Sequence, residues 1–338
     1  MANHRVIFLK SLADTMQEHL TYLLFLILPL YFLSSCDLNS NEIPYDTDIP
    51  ESEEFDAFFG AWGKLGNKIV FIHDEPLDGT ADAGKLDQVW IYDLQTQERR
   101  KVIGGRAYAP KLHPDGDWII FHTNSFPQYL YKVRLDGTGL TPLSGNSSPN
   151  DLEYTTDARF SPNGQEILFT IFAGTPRGIA LMDTTGTDPE IIVPVGITGD
   201  WFPDGQQVIY VNWDTTSAIS MQRQIYTANR DGSNQTKLTN LEESNIIAGP
   251  AVAPDGTQIA FSHLGEGGRS EIFIMDRDGS NIRQLTQGEG DAYAPEWHPD
   301  GQKILFSRRI DFSSTERSRR LWLVDVETLQ VTPLFPKD

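Results

Sequence analysis

The chain has 338 residues, 39% of them hydrophobic and 22% charged, a composition that excludes both a disordered polymer and a polytopic membrane protein. Its 47 acidic residues against 27 Lys and Arg give a formal charge of -20, which repels phosphates and excludes nucleic acid as a partner. A single cysteine excludes an intrachain disulfide and any zinc site built from several cysteines.

The first element is the apolar run Leu20 to Leu33, preceded by Arg5 and Lys10. A membrane helix needs about 20 residues, so this shorter run has the size of a signal-peptide core. Ser34, Ser35 and Cys36 follow it, and Leu33-Ser34-Ser35-Cys36 resembles the lipobox of bacterial lipoproteins. That resemblance implies a signal peptide over 1–35, cleavage before Cys36 and lipid on its sulfur. Multiple acyl chains on one residue anchor a protein durably to a membrane. From Asp37 the sequence reads DLNSNEIPYDTDIPESEE, too polar to bury a core, so 36–54 is predicted to be the lipidated cysteine followed by a disordered tether.

From residue 55 onward the sequence repeats. Pro-Asp/Asn-Gly occurs at Pro114, Pro162, Pro203, Pro254 and Pro299, and Lys64-Leu65-Gly66-Asn67 is a degenerate copy. Each is followed by an apolar alternation ending in an aromatic: Phe71, Phe121, Phe169, Tyr210, Phe261 and Phe306. Period-two branched and aromatic residues after a tight turn predict a strand. A second strand follows in each unit (VWIYD, YLYKV, GIALM, QIYTA, EIFIM, LWLVD) and commonly ends in a turn such as Asp136-Gly137 or Asp278-Gly279, where glycine accepts positive φ. The segment before each Pro-Asp-Gly and the short run after each second strand supply two more. Six four-stranded sheets, each unable to bury both faces alone, cover one another when set radially. The predicted fold is therefore all-β, a six-bladed β-propeller of four-stranded antiparallel blades over 55–338. Counting strands gives the first blade entirely to the N-terminal end and the last entirely to the C-terminal end, so closure is expected by side-chain packing between them.

The repeat unit, with Pro-Asp-Gly, an apolar alternation to Phe or Tyr, Ile-Tyr/Phe-x-x-Asp, Asp-Gly and Leu-Thr, resembles the TolB-type (PD40, WD40-like) propeller. The resemblance covers the propeller module; nothing in the sequence matches the separate α/β domain that precedes it in TolB.

In a propeller the tight turns share one rim, and the longer connections, which carry binding, gather on the other. On that variable-loop rim the candidate binding residues are His73, Asp74, Tyr108, Asp200, Trp213, His263, Tyr293, Arg308 and Arg309. Acids of the first blade (Asp74, Glu75, Asp78, Asp82, Asp87) stand beside arginines of the last (Arg308, Arg309, Arg317, Arg319, Arg320). Two readings follow: neutralisation across a seam, or a bipolar surface that docks a carboxylate. No Gly-x-Ser-x-Gly elbow and no phosphate-binding Gly-rich loop occurs, so neither a catalytic residue nor a cofactor is assigned. Some related propellers resemble oligogalacturonate lyases with an axial metal. His73 and His263 stand two past their strand-ending aromatics, whereas His122 stands one past and so takes the opposite face. His113 and His298, just before the turns, read as turn-stabilising hydrogen bonders rather than ligands. The functional expectation is a lipoprotein of the bacterial envelope, facing the periplasm or cell surface, that binds an envelope protein or peptide. The alternative is a carbohydrate-binding or metal-dependent, polysaccharide-active propeller.

Overall fold

Each Pro-Asp-Gly turn opens a hairpin, and the hairpins of the chain assemble into six sheets of the same plan. The computed structural model describes residues 56–76, 85–145, 148–173, 177–214, 222–241, 249–265, 267–311 and 317–335. Cys36, the signal segment, the tether, Asp78 and Asp82 lie outside the described residues. Among those described, 24 strands form six four-stranded sheets. Blades 1 to 6 are β1–β4 (57–103), β5–β8 (107–142), β9–β12 (155–194), β13–β16 (197–237), β17–β20 (251–284) and β21–β24 (291–333). Every sheet is a meander whose strands pair in chain order and antiparallel. This is the predicted six-bladed propeller.

Alternation along the second strand of each blade explains why the sheets stack radially. Val70 and Ile72 pack with Ala107, Ile119 and Phe121 of blade 2, while Ile69 and Phe71 turn to Leu305 and Leu321 of blade 6. One apolar cluster of this kind fills each of the six seams, so no sheet face is left to water. The glycine of the Asp-Gly turn is needed twice over at Gly137. Its φ is +86, and a Cβ there would stand 2.5 Å from the Val102 carbonyl oxygen in the outermost strand of blade 1.

The innermost strands are β1 (Ala57–Trp62), β5 (Ala107–Leu112), β9 (Thr155–Phe160), β13 (Ile197–Trp201), β17 (Ala251–Val252) and β21 (Asp291–Trp297). Five of them carry an irregularity in pairing, with a residue in left-handed conformation at it: Phe59, Ala109, Asp157, Thr198 and Ala294. All five stand seven residues before the turn glycine. Such bulges re-aim the side chains that follow, and the residues two positions on are the ones that meet at the axis.

The ring closes without strand exchange, because β1 pairs with β2 and β24 with β23. Side-chain packing at the seam between blades 6 and 1 is reinforced by hydrogen bonds. The Phe59 amide donates to Ser307 Oγ at 2.8 Å, the Arg319 amide to Asp56 Oδ1 at 3.0 Å, and His298 Nε2 to the Gly66 carbonyl at 3.3 Å. His113 makes the same latch from blade 2 to Gly164 of blade 3, at 2.9 Å. In both cases the imidazole lies edge-on to an aromatic of the next blade, Trp62 or Phe160, and its Nδ1 receives the amide of its own turn. The two histidines thus join neighbouring turns as well as stabilising their own.

Candidate functional site

Five residues before the turn glycine, the six inner strands place Ala61, Lys111, Arg159, Asp200, Ala251 and Glu296. The four charged members form one neutral network across the axis. Arg159 donates to Glu296 in bidentate fashion, at 3.0 and 2.6 Å, and Lys111 Nζ reaches the same carboxylate at 2.5 Å. On the other side Arg159 Nε stands 3.5 Å from Asp200, whose second oxygen accepts the Val252 amide at 2.9 Å. Burial opposes ionisation of Glu296, yet Arg159 and Lys111 outweigh it and hold its carboxyl at about 2. Burial raises Asp200, with Arg159 opposing, and lowers Lys111. This corrects the expectation for Asp200: it is an axial residue near the tight turns, committed to Arg159 and to the backbone of blade 5, and does not join the variable-loop rim.

At the opposite end of the inner strands, blades 1, 2 and 6 build a second cluster around Arg319, in β23 (Arg317–Asp325). Its guanidinium carbon lies 3.6 Å from the centre of the Phe58 ring, and its Nη2 pairs with Asp74 across the closure seam. Asp74 faces Asp87 in the β2–β3 ladder, and Asn124 of blade 2 donates to Asp87. Burial first, and the neighbouring Asp87 second, push the Asp74 carboxyl up to about 7 against the pull of Arg319. Phe59, turned out by the bulge, contacts Tyr108 at 4.5 Å and Tyr293 at 5.5 Å between ring centres. Burial pushes the Tyr293 phenol up to about 12 and raises Tyr108 as well. His122 packs on Tyr108 at 5.5 Å, and burial lowers it to about 4, with Asp157 opposing. It is therefore a neutral imidazole at physiological pH, and its Nδ1 is buried without a hydrogen-bond partner.

Of the candidates named from sequence, the structure brings together Asp74, Tyr108 and Tyr293. His73 lies near them and, like Asp74, is buried, its Nδ1 held by the Asp56 carbonyl at 2.8 Å and its ring edge-on to Trp90. The others stand apart. Trp213 lies in blade 4 opposite Arg223, whose guanidinium covers its ring at 5.7 Å. His263 donates Nδ1–H to the Leu264 carbonyl at 2.8 Å and lies against Phe273. Among the described residues no group of three His, Cys, Asp or Glu side chains is placed to hold a metal ion. Arg309 is half-exposed and paired with Asp291 at 3.0 Å. Arg308, expected on the rim, is instead 2% exposed. It lies under Trp322 and Phe306, with the Glu271 carboxylate of blade 5 at 3.5 Å, so it cannot meet a partner.

Comparison with known proteins bears on this arrangement. The model of the TolB beta propeller domain, PD40, matches residues 173–312. Over that stretch, from blade 3 to blade 6, the propeller repeat is of the TolB type. An uncharacterized protein of Agrobacterium fabrum is 28% identical to this chain over 274 residues, covering 76% of this chain and 86% of that one. A TolB homolog of Chlorobium luteolum is 29% identical over 164 residues, 48% of this chain but only 34% of the relative. Among solved structures, a putative TolB from Agrobacterium tumefaciens superposes with a TM-score of 0.61 at 23% identity, over 72% of this chain and 86% of that one. That likeness is one of fold. The TolB-type match stops short of blades 1 and 2, which contribute much of the Arg319 cluster.

Proposed function

We propose that the chain is a lipid-anchored envelope protein whose TolB-type propeller binds a protein or peptide on its variable-loop rim. The observation that carries the binding reading is the convergence of Phe59, Tyr108, Tyr293 and Arg319 over the buried Phe58 at one end of the axis. Aromatic rings beside a guanidinium are the composition that dominates binding energy at protein interfaces. The Arg159–Glu296 network lies toward the other end of the inner strands, so a segment entering along the axis would come from this rim.

Anchoring rests on Cys36 within its lipobox-like setting, and the acidic stretch after it supplies reach. The experiment has two arms. Incorporation of radiolabelled palmitate, lost in Cys36→Ser, tests the anchor. A photocrosslinker at Tyr293 in the envelope, compared with one at Leu65 in the tight turn of blade 1, tests the binding rim. A crosslinked protein obtained from position 293 and not from 65 is the expected result. Equal or absent capture from both, in a chain shown to carry lipid, overturns the binding reading.

A further inference from the structure

The first described residue, Asp56, precedes β1, and Ala57 pairs with His73 near the end of β2 remote from the tight turn. The 55 residues upstream therefore join the propeller on the variable-loop rim. On the same rim lies an aromatic grouping with an exposed member. Phe126, in the connection between β6 and β7, is 68% exposed, and Val195, between β12 and β13, is 40% exposed. Beside Phe126 stand Tyr154 and Phe172, whose rings are 5.7 Å apart and each 6.5 Å from Phe126. The backbone joins two of these residues, with the Phe172 amide on the Tyr154 carbonyl at 3.1 Å, and the Val195 amide meets the Arg177 carbonyl at the same distance. Arg177 and Arg106 are exposed nearby. On the opposite rim Leu65 and Leu140 are exposed at separate blades, which is ordinary for a folded surface.

We infer that the Phe126–Tyr154–Phe172 group of blades 2 and 3 rests on the lipid surface to which the chain is anchored. This rests on the anchoring reading, because chain entry and the aromatic group share a rim. Aromatic side chains, apolar in body and polar at one edge in tyrosine, settle at the headgroup level of a bilayer. The net charge of -20 opposes electrostatic attraction to anionic lipid. The contact is therefore apolar, and it persists when salt screens the charges. The Arg319 cluster on blades 1, 2 and 6 is left to the partner, so one rim serves two surfaces side by side.

The test uses the full lipidated chain in vesicles of phosphatidylethanolamine and phosphatidylglycerol, with a nitroxide at Phe126→Cys or, on the opposite rim, at Leu65→Cys. Both positions are exposed, so neither change disturbs the core, and lipid on Cys36 leaves the introduced thiol as the one that reacts. The expected result is that collision with an aqueous nickel chelate is severalfold slower at 126 than at 65, at low and high salt alike. Equal collision rates in a chain that pellets with the vesicles overturn the inference and leave the anchor standing. Shielding of 126 only after solubilised envelope protein is added also overturns it, in favour of a protein partner. Labelling of Cys36 itself, with the chain left in the supernatant, overturns anchoring and the lipid contact together.

Discussion

Arg159 of blade 3 and Glu296 of blade 6 face each other across the propeller axis, and the guanidinium donates two hydrogen bonds to the carboxylate, at 3.0 and 2.6 Å. Blades 3 and 6 are opposite members of the ring, so the pair is a strut across its diameter. Removing one partner of a buried pair strands the other charges, at a cost of about 3 kcal/mol. Glu296→Ala is expected to lower stability by that amount in urea unfolding, while Glu296→Gln, which keeps the shape and loses the charge, lies between. The Glu296 carboxyl is held at about 2, below its ordinary 4.5. Its contribution is therefore complete above about 4.5 and is lost as pH falls through about 2.

Asp74 has the opposite sign. Its carboxyl is raised from 3.8 to about 7, so the folded protein holds a proton that the unfolded chain releases. Stability from this group is complete below 3.8 and declines as pH rises through about 7. Asp87→Asn removes the neighbouring carboxylate that helps raise it. The variant is expected to have a higher Tm than the parent at pH 8 and an unchanged one at pH 3.5; equal shifts at both would show that Asp87 does not act through Asp74.

The turn latches allow a matched comparison. A Cβ at Gly66 would stand 2.5 Å from His298 Nε2, whereas one at Gly116 meets nothing within 4 Å, although both glycines have positive φ, +68 and +84. Backbone strain alone is about 1 kcal/mol for alanine in the left-handed region. Gly66→Ala is expected to cost clearly more than Gly116→Ala, with the excess abolished in a His298→Ala background, as a double-mutant cycle would show.

Arg308 and Arg309 are adjacent in sequence and opposite in consequence. Arg308→Ala leaves Glu271 buried without its charge partner and is expected to destabilise by about 3 kcal/mol. Arg309→Ala breaks a half-exposed pair and costs below about 1 kcal/mol. Urea midpoints of the two variants check this directly; similar losses would contradict the burial seen for Arg308.

The blade count and the strand-turn rhythm were legible because the signal recurs: five Pro-Asp/Asn-Gly turns in phase with apolar alternation leave few other folds. Arg308 was legible too, since period two places it on the face of Phe306 and hence in a seam; grouping it with neighbouring arginines by charge hid that. Asp200 was harder. Ile197-Thr198-Gly199-Asp200 is poor in strand-forming residues and looks like loop, yet the bulge at Thr198 lets it run as β13 and turns Asp200 to the axis. The same bulges put Phe59 out of simple alternation, which is why the aromatic cluster around it did not emerge from counting. Arg319 and Asp74 are far apart in sequence, and only ring closure brings them into contact.

That closure has a mechanical side. Asp56 is both the point where the upstream chain enters and the acceptor for the Arg319 amide, so any tension along that segment is delivered to the junction of blades 1 and 6. Among the described residues no shared sheet bridges this junction, and the load falls on hydrogen bonds, the Arg319–Asp74 pair and the packing behind them. A tug on the leash would spring the clasp there before any blade came apart.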